Sequence, residues 1–218
     1  TAVNNVPRFD HDPATGESLG LLIEESRTNL AKKSETLNNT TYWGQNYNVS
    51  AATAPSITAP DGSTDTWKLV VANNTSQQRF PLNSSQGTFT PNTYTWSVFA
   101  KAAEYSYLGI SLYDGNYYRA TFNLSNGTTS NVFSATAKIT PYPNGWYRCS
   151  ITATTQNNLR NNQNYADAFW PYATDSTAGA QQTGNGTSGV YVWGPQLEVG
   201  SFPTSYVTTG DSTSTVTR

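Results

Sequence analysis

Tyr94-Thr95-Trp96-Ser97-Val98-Phe99-Ala100-Lys101 decides the fold. In an extended chain successive side chains point to opposite faces, so Tyr94, Trp96, Val98 and Ala100 form one side and Thr95, Ser97, Phe99 and Lys101 the other. The same alternation returns from Tyr107 to Tyr113, where Leu108, Ile110 and Leu112 face a core and Tyr107, Ser111 and Tyr113 lie opposite. From Tyr117 to Leu124 it places Tyr118, Ala120, Phe122 and Leu124 inward and Tyr117, Arg119, Thr121 and Asn123 outward. Asp65 to Val71, Trp146 to Thr155, Tyr165 to Tyr172 and Gly189 to Leu197 complete the clearest strands, and helical periodicity is nearly absent. Polar clusters punctuate them, among them Pro60 to Ser63, Ser125 to Gly127, Pro143 to Gly145 and Thr183 to Gly186. Asp114-Gly115-Asn116 predicts a tight antiparallel hairpin. Short strands with this punctuation predict an all-β chain, a two-sheet antiparallel β-sandwich.

Composition narrows the partners. The chain of 218 residues holds 6 Trp, 14 Tyr and 8 Phe against 12 Lys and Arg and 14 Asp and Glu. Aromatic faces among Asn, Thr, Ser, Gln and Gly suit sugars, whose rings present apolar C–H patches rimmed by hydroxyls. Aromatics and Thr also build half-buried strands. A formal net charge of −2 gives no electrostatic footprint for nucleic acid or anionic lipid. No apolar run approaches the ~20 residues of a membrane helix. A chain this long buries roughly 70% of its extended surface and needs no disulfide or metal to fold. Its single cysteine, Cys149, shares a period of two with Tyr147, Ile151 and Ala153 and reads as a small core residue. Sequons at Asn48, Asn126 and Asn185 are expected by chance in so Asn- and Thr-rich a chain. With no Met and no signal-peptide pattern, the expectation is a piece of a longer protein.

Three regions follow: an N-terminal arm at 1–26, a sandwich at 27–200 and a Thr/Ser-rich tail at 201–218. The arm holds His11, the pair Glu24 and Glu25, and the apolar stretch Leu19 to Ile23. Such ends would dock on a neighbouring subunit or join a hinge to further chain. On the sandwich, sugar contacts are expected on a polar-aromatic sheet face comprising Phe99, Lys101, Tyr113, Tyr117 and Arg119. Trp170 and Tyr172 join them, because Pro171 between them suits a strand edge or bulge opening onto a cleft. Their parity with Ala166 and Ala168 is equally compatible with burial of both. Trp67, Trp96 and Trp193 read as core, Trp146 as a plug at the sandwich edge. Tyr113, Tyr117 and Arg119 suit a subunit interface as well as a sugar.

Catalytic signals are thin. His11 lies in the arm without a second His or ligand spacing, and no Gly-x-Ser-x-Gly elbow exists. Glycoside hydrolysis needs two carboxyls across a cleft, and the acids Glu24, Glu25, Glu35, Glu104 and Asp114 are sparse, with Glu198 and Asp61 reading as structural. A lyase would use Tyr117, Tyr118 and Arg119, a common combination. Gly184-Asn185-Gly186 follows no apolar strand and precedes no helix, so it is no phosphate cradle. No cofactor is expected. Oxygen ligands for a structural calcium ion are available from Asp61, Asp175 or the arm acids, without EF-hand spacing, and the metal content stays unknown.

The segment from Arg8 to Leu30, carrying Gly16-Glu17-Ser18-Leu19-Gly20-Leu21-Leu22-Ile23-Glu24-Glu25-Ser26-Arg27-Thr28-Asn29, resembles one recurring in tail, fibre and other virion structural proteins of tailed bacteriophages. Gly145-Trp146-Tyr147-Arg148 and Val192-Trp193-Gly194-Pro195-Gln196-Leu197-Glu198-Val199-Gly200-Ser201-Phe202-Pro203-Thr204-Ser205-Tyr206 resemble later landmarks of the same modules. Tyr94 to Lys101 and Val190 to Leu197 are similar to jelly-roll carbohydrate-binding modules. Two departures stand out: Pro195 replaces an expected small residue, interrupting one ladder position, and Ala31-Lys32-Lys33 replaces a more apolar stretch. The resemblance implies a jelly roll in a virion or extracellular setting and carries no catalytic motif. The function expected is a non-catalytic polysaccharide-binding module of a phage adhesion protein. The alternative is a purely structural fibre or decoration domain that packs against sister subunits, as a trimer for example. A lyase or glycosidase stands behind both.

Overall fold

The computed structural model describes residues 9–12, 15–44, 47–159, 168–178, 180–210, 212 and 214–217. In chain order the strands are β1 (Phe9–His11), β2 (Ser18–Leu21), β3 (Thr28–Asn29), β4 (Val49–Thr53), β5 (Trp67–Val71), β6 (Thr75–Gln77), β7 (Phe80–Pro81) and β8 (Thr93–Ala102). There follow β9 (Tyr107–Tyr113), β10 (Tyr117–Asn123), β11 (Thr128–Phe133), β12 (Thr136–Tyr142), β13 (Trp146–Thr154), β14 (Ala168–Tyr172), β15 (Gln181–Thr183), β16 (Gly189–Val199) and β17 (Val216–Thr217). A six-stranded sheet runs β12-β13-β8-β16-β5-β4 and a five-stranded sheet β11-β10-β9-β14-β7. Among the described residues all the pairings are antiparallel, and small ribbons β1-β2, β6-β15 and β3-β17 lie outside the two sheets. The fold is an antiparallel β-sandwich. Of the strand read as Tyr165 to Tyr172, residues 165–167 lie outside the described residues.

The core forms where the expected inward faces meet. Tyr94, Trp96, Val98 and Ala100 of β8 oppose Leu108, Ile110 and Leu112 of β9 and Tyr118, Ala120 and Phe122 of β10, all buried in one cluster. Through it runs a stack of parallel rings: Phe80 to Trp43 at 5.7 Å, Trp43 to Trp96 at 6.5 Å, and Trp96 to Phe169 at 4.7 Å. Much of the aromatic content is thus spent inside. Cys149 is fully buried here, and burial pushes its thiol pKa up. Trp67 is buried in the same cluster.

Local chemistry explains the turns. The β9–β10 hairpin pairs Tyr113 with Tyr117, and the Asp114 carboxylate accepts the Asn116 N–H at 2.9 Å. Asn126 Oδ1 accepts the Thr128 N–H, and Asn185 Oδ1 accepts those of Thr187 and Ser188. Two of the chance sequons are therefore turn-closing Asx motifs. Threonine hydroxyls pair across strands, Thr93 with Thr154 and Thr95 with Thr152, both at 2.8 Å.

The two chain ends meet on the sandwich. Residues 201–209 do not trail away but pack onto the outside of the six-stranded sheet. Gln196 and Glu198, both buried on β16, hold them: Gln196 Oε1 accepts the Val207 N–H at 2.6 Å, its Nε2 donates to the Thr204 carbonyl at 3.3 Å, and Glu198 accepts the Thr204 N–H at 3.1 Å. A segment from the N-terminal side joins them. Asn29 Nδ2 donates to the carbonyls of Val207 and Pro195, and Leu30 N–H donates to Leu197. The register of β16 against β8 shifts between Trp193 and Gln196, where Pro195 interrupts the ladder as expected. By contrast β1 and β2 form a ribbon whose Phe9, Leu19 and Leu21, with Ile23 beyond it, are exposed. The His11 side chain lies outside the described residues.

Candidate functional site

The structure divides the expected sugar-contact residues between two opposite surfaces. Phe99 and Lys101 of β8 lie on the outside of the six-stranded sheet. Tyr113, Tyr117, Arg119, Trp170 and Tyr172 belong to the outside of the five-stranded sheet, with the core between. Period-two alternation gives each strand an outward set but cannot say to which sheet a strand belongs.

On the six-stranded sheet, Phe99 is buried, contrary to expectation. It meets Tyr142 edge-on at 5.0 Å and Trp193 at 5.2 Å, with the Arg148 guanidinium 5.2 Å above its ring. Trp193 in turn packs on Tyr206 at 4.7 Å and donates its indole N–H to Asp65 at 2.9 Å. The Tyr206 ring fits because Gly194, at φ +58°, has no side chain: a Cβ there would stand 3.3 Å from the ring. Burial, as the main cause, pushes the Tyr206 phenol far up. Trp146 does not plug the edge; it is buried on this face, its indole N–H donating to the Thr58 carbonyl at 2.9 Å. Lys101 is half-buried in a cross-strand row formed by Tyr142, Trp146, Lys101, Tyr191 and Lys68. Lys68 bridges to Glu104 at 2.7 Å, and that bond, the main cause, lowers the Glu104 pKa.

On the five-stranded sheet, Trp170 and Tyr172 are fully buried and form a separate cluster with Ala168 and Ala178. Here too the expectation of an open cleft is corrected. Residues 173–178 fold back as a roof. Tyr172 donates its hydroxyl to the Thr177 carbonyl at 3.1 Å, Thr121 donates to Ser176 at 2.6 Å, and Arg119 Nη1 donates to Ala178 at 2.9 Å. The Trp170 indole N–H donates to Ser111 Oγ at 2.9 Å, so its polar tip is satisfied inside. Gly109 makes the roof possible, because a Cβ there would stand 3.1 Å from Trp170 Cβ and 3.3 Å from Ala178 Cβ.

Beyond the roof, Tyr113, Tyr117 and Arg119 do come together. The two tyrosine rings lie 4.8 Å apart, tilted by 52°, and both are half-buried. Arg119 sits 5.0 Å over Tyr117 and 5.5 Å over Phe133, which is 54% exposed. Phe133 was missed because β11 (Thr128–Phe133) is a polar edge strand with weak alternation, and its pairing with Arg119 across β10–β11 is visible only in the folded chain. Tyr142 and Tyr191, half-buried around Lys101, were likewise missed.

Beside the same hairpin, a concavity of about 550 Å³ is lined by Pro91, Asp114, Gly115, Gln156, Asn157 and Asn158. Asp114 anchors it. Burial opposes its charge, but N–H groups of Asn157, Asn116 and Gln156 and the Tyr118 hydroxyl outweigh burial and lower its pKa. The calcium candidates Asp61 and Asp175 are not brought together. Asp61 accepts the Ser63 N–H, while Asp175 accepts Ser130 Oγ and Asn131 Nδ2 on the roof of the other sheet. Among the described residues no three His, Cys, Asp or Glu side chains cluster as metal ligands, and no helix is long and apolar enough to cross a membrane.

No protein-family model and no curated protein matches this chain.

Proposed function

We propose that this chain is a non-catalytic carbohydrate-binding module that recognises polysaccharide through Tyr113, Tyr117, Arg119 and Phe133. The supporting observation is the position of this group: tilted rings half-open to solvent at the end of a rigid hairpin, with amide-rich Gln156, Asn157 and Asn158 nearby. Stacked rings offer sugar C–H faces a few kcal/mol at most by area, so single-site affinity is roughly micromolar to millimolar and rises with copy number. The likeness of the Arg8–Leu30 and Val192–Tyr206 segments to tailed-phage virion proteins supports a virion or extracellular adhesion protein as the parent. A glycan array with affinity electrophoresis tests this reading: binding that Tyr117→Ala weakens at least fivefold supports it. Silence across plant, algal and bacterial polysaccharides removes it.

One observation favours a second reading, a structural virion domain that assembles with copies of itself. Phe9, Leu19, Leu21 and Ile23 are 57–84% exposed on or beside the β1–β2 ribbon. Phe9 pairs directly with Leu21, so these two share one face. A lone two-stranded ribbon with an open apolar face is marginal in water.

A further inference from the structure

We infer that the site around Arg119 takes a carboxylate-bearing sugar, a uronate-type residue, in preference to a neutral one; this rests on the glycan-binding reading above. Arg119 carries a full charge, yet among the described residues no carboxylate lies within ion-pair distance of it. One N–H group, on Nη1, is used by the Ala178 carbonyl, and Nε is buried without a partner. The Nη2 edge is left for a ligand. Asp175, on the adjoining roof, is engaged by Ser130 Oγ at 2.6 Å and Asn131 Nδ2 at 2.8 Å, so its role is to tie the roof to β11.

The guanidinium is also held still. Tyr117 and Phe133 flank it at 5.0 and 5.5 Å, and the Ala178 bond fixes its plane. Cation–π contacts of this kind leave the in-plane Nη2 N–H groups free to donate, and a charge-assisted bond from them suits a carboxylate better than a hydroxyl. A sugar ring stacked on Tyr117 or Tyr113 therefore meets a fixed cation at its edge. Neutral hydroxyls satisfy a guanidinium less well than a carboxylate, because charge-assisted bonds are roughly twice as strong. A chain of net charge −2 does not attract polyanions at long range, so the preference must arise locally.

The test uses the whole chain, with polygalacturonate against the same polymer fully methyl-esterified, and dextran sulfate as a general polyanion. The expected result is at least tenfold tighter binding to polygalacturonate than to its ester. That preference should collapse in about 1 M NaCl, where the screening length is about 3 Å. Arg119→Gln should remove it, and Arg119→Lys should keep only part of it, because an ammonium on a flexible stem is not held in one plane by Tyr117, Phe133 and Ala178. Equal binding of acid and ester overturns the inference and leaves the glycan reading standing; silence on both overturns the inference, while the glycan reading falls only with silence across the whole polysaccharide array. Dextran sulfate binding as tightly as polygalacturonate, or an unchanged preference in Arg119→Gln, also overturns it. Salt titration of the unsubstituted chain decides the matter even where Arg119→Gln lowers folding yield.

Discussion

The Tyr118 hydroxyl donates to the Asp114 carboxylate at 3.2 Å, and the same carboxylate oxygen accepts the Gln156 and Asn157 N–H groups at 2.6 and 3.0 Å. The β9–β10 hairpin of one sheet is thereby tied to the residues that follow β13 in the other. Asp114 is buried, and its folded pKa lies below the ordinary value of 3.8. A carboxyl with a lowered folded pKa stabilises the fold fully above its ordinary pKa, and that contribution fades as pH falls through the folded value. Urea midpoints should therefore drop as pH falls from about 5 towards 2. Asp114→Asn should cost about 2 kcal/mol at pH 7 and flatten that slope. A variant as acid-sensitive as the parent would contradict this assignment.

Gln196 predicts the fate of the tail. Gln196→Ala removes the acceptor for the Val207 N–H and two donor contacts to the Thr204 and Ser205 carbonyls, within a buried layer. The expected loss is about 2–3 kcal/mol, since buried groups are left unpaired. Amide hydrogen exchange at Val207 should accelerate well before exchange in β8 does. Unchanged protection would mean that the Trp193–Tyr206 contact alone seats the tail.

Trp170 and Tyr117 should part company under substitution. Trp170→Ala opens a cavity beneath the roof and removes the indole N–H donated to Ser111 Oγ, costing roughly 3–5 kcal/mol, with a Tm lower by on the order of 10 °C. Tyr117→Ala, at a half-open position, should shift Tm by only about 2–3 °C while weakening polysaccharide retention. The reverse ranking would place the binding surface elsewhere.

Self-association should depend on the arm. Light scattering of the chain is expected to show concentration-dependent oligomers, and the pair Leu21→Asp with Ile23→Asp should return it to monomer while leaving Tm nearly unchanged. A parent chain that is monomeric at every concentration would remove the assembly reading.

Seven strands, the β9–β10 hairpin and the inward faces of β8, β9 and β10 were legible because each depends on neighbours within one or two residues. Edge strand β11, polar and mostly exposed, lacked the alternation that burial on one face imposes. Of the expected contacts, Tyr113, Tyr117 and Arg119 are assembled, because β9 and β10 are hairpin partners whose register the turn sets. Phe99, Trp170 and Tyr172 are covered by segments far along the chain. For Phe99 these are Tyr142 and Trp193, with Tyr206 beyond them; for the other two it is the loop folded over Gly109.

Alternation and turn chemistry are short-range properties, so the residues themselves determined the strands, the hairpin and the all-β sandwich. Which sheet each strand joined, and which outward rings were then roofed, depended on contacts such as Tyr206 with Trp193 and Arg119 with Ala178. An outward-facing ring looks the same in sequence whether solvent or a distant loop lies above it. Only the packed chain distinguishes the two, because burying that ring stabilises whichever segment can reach it.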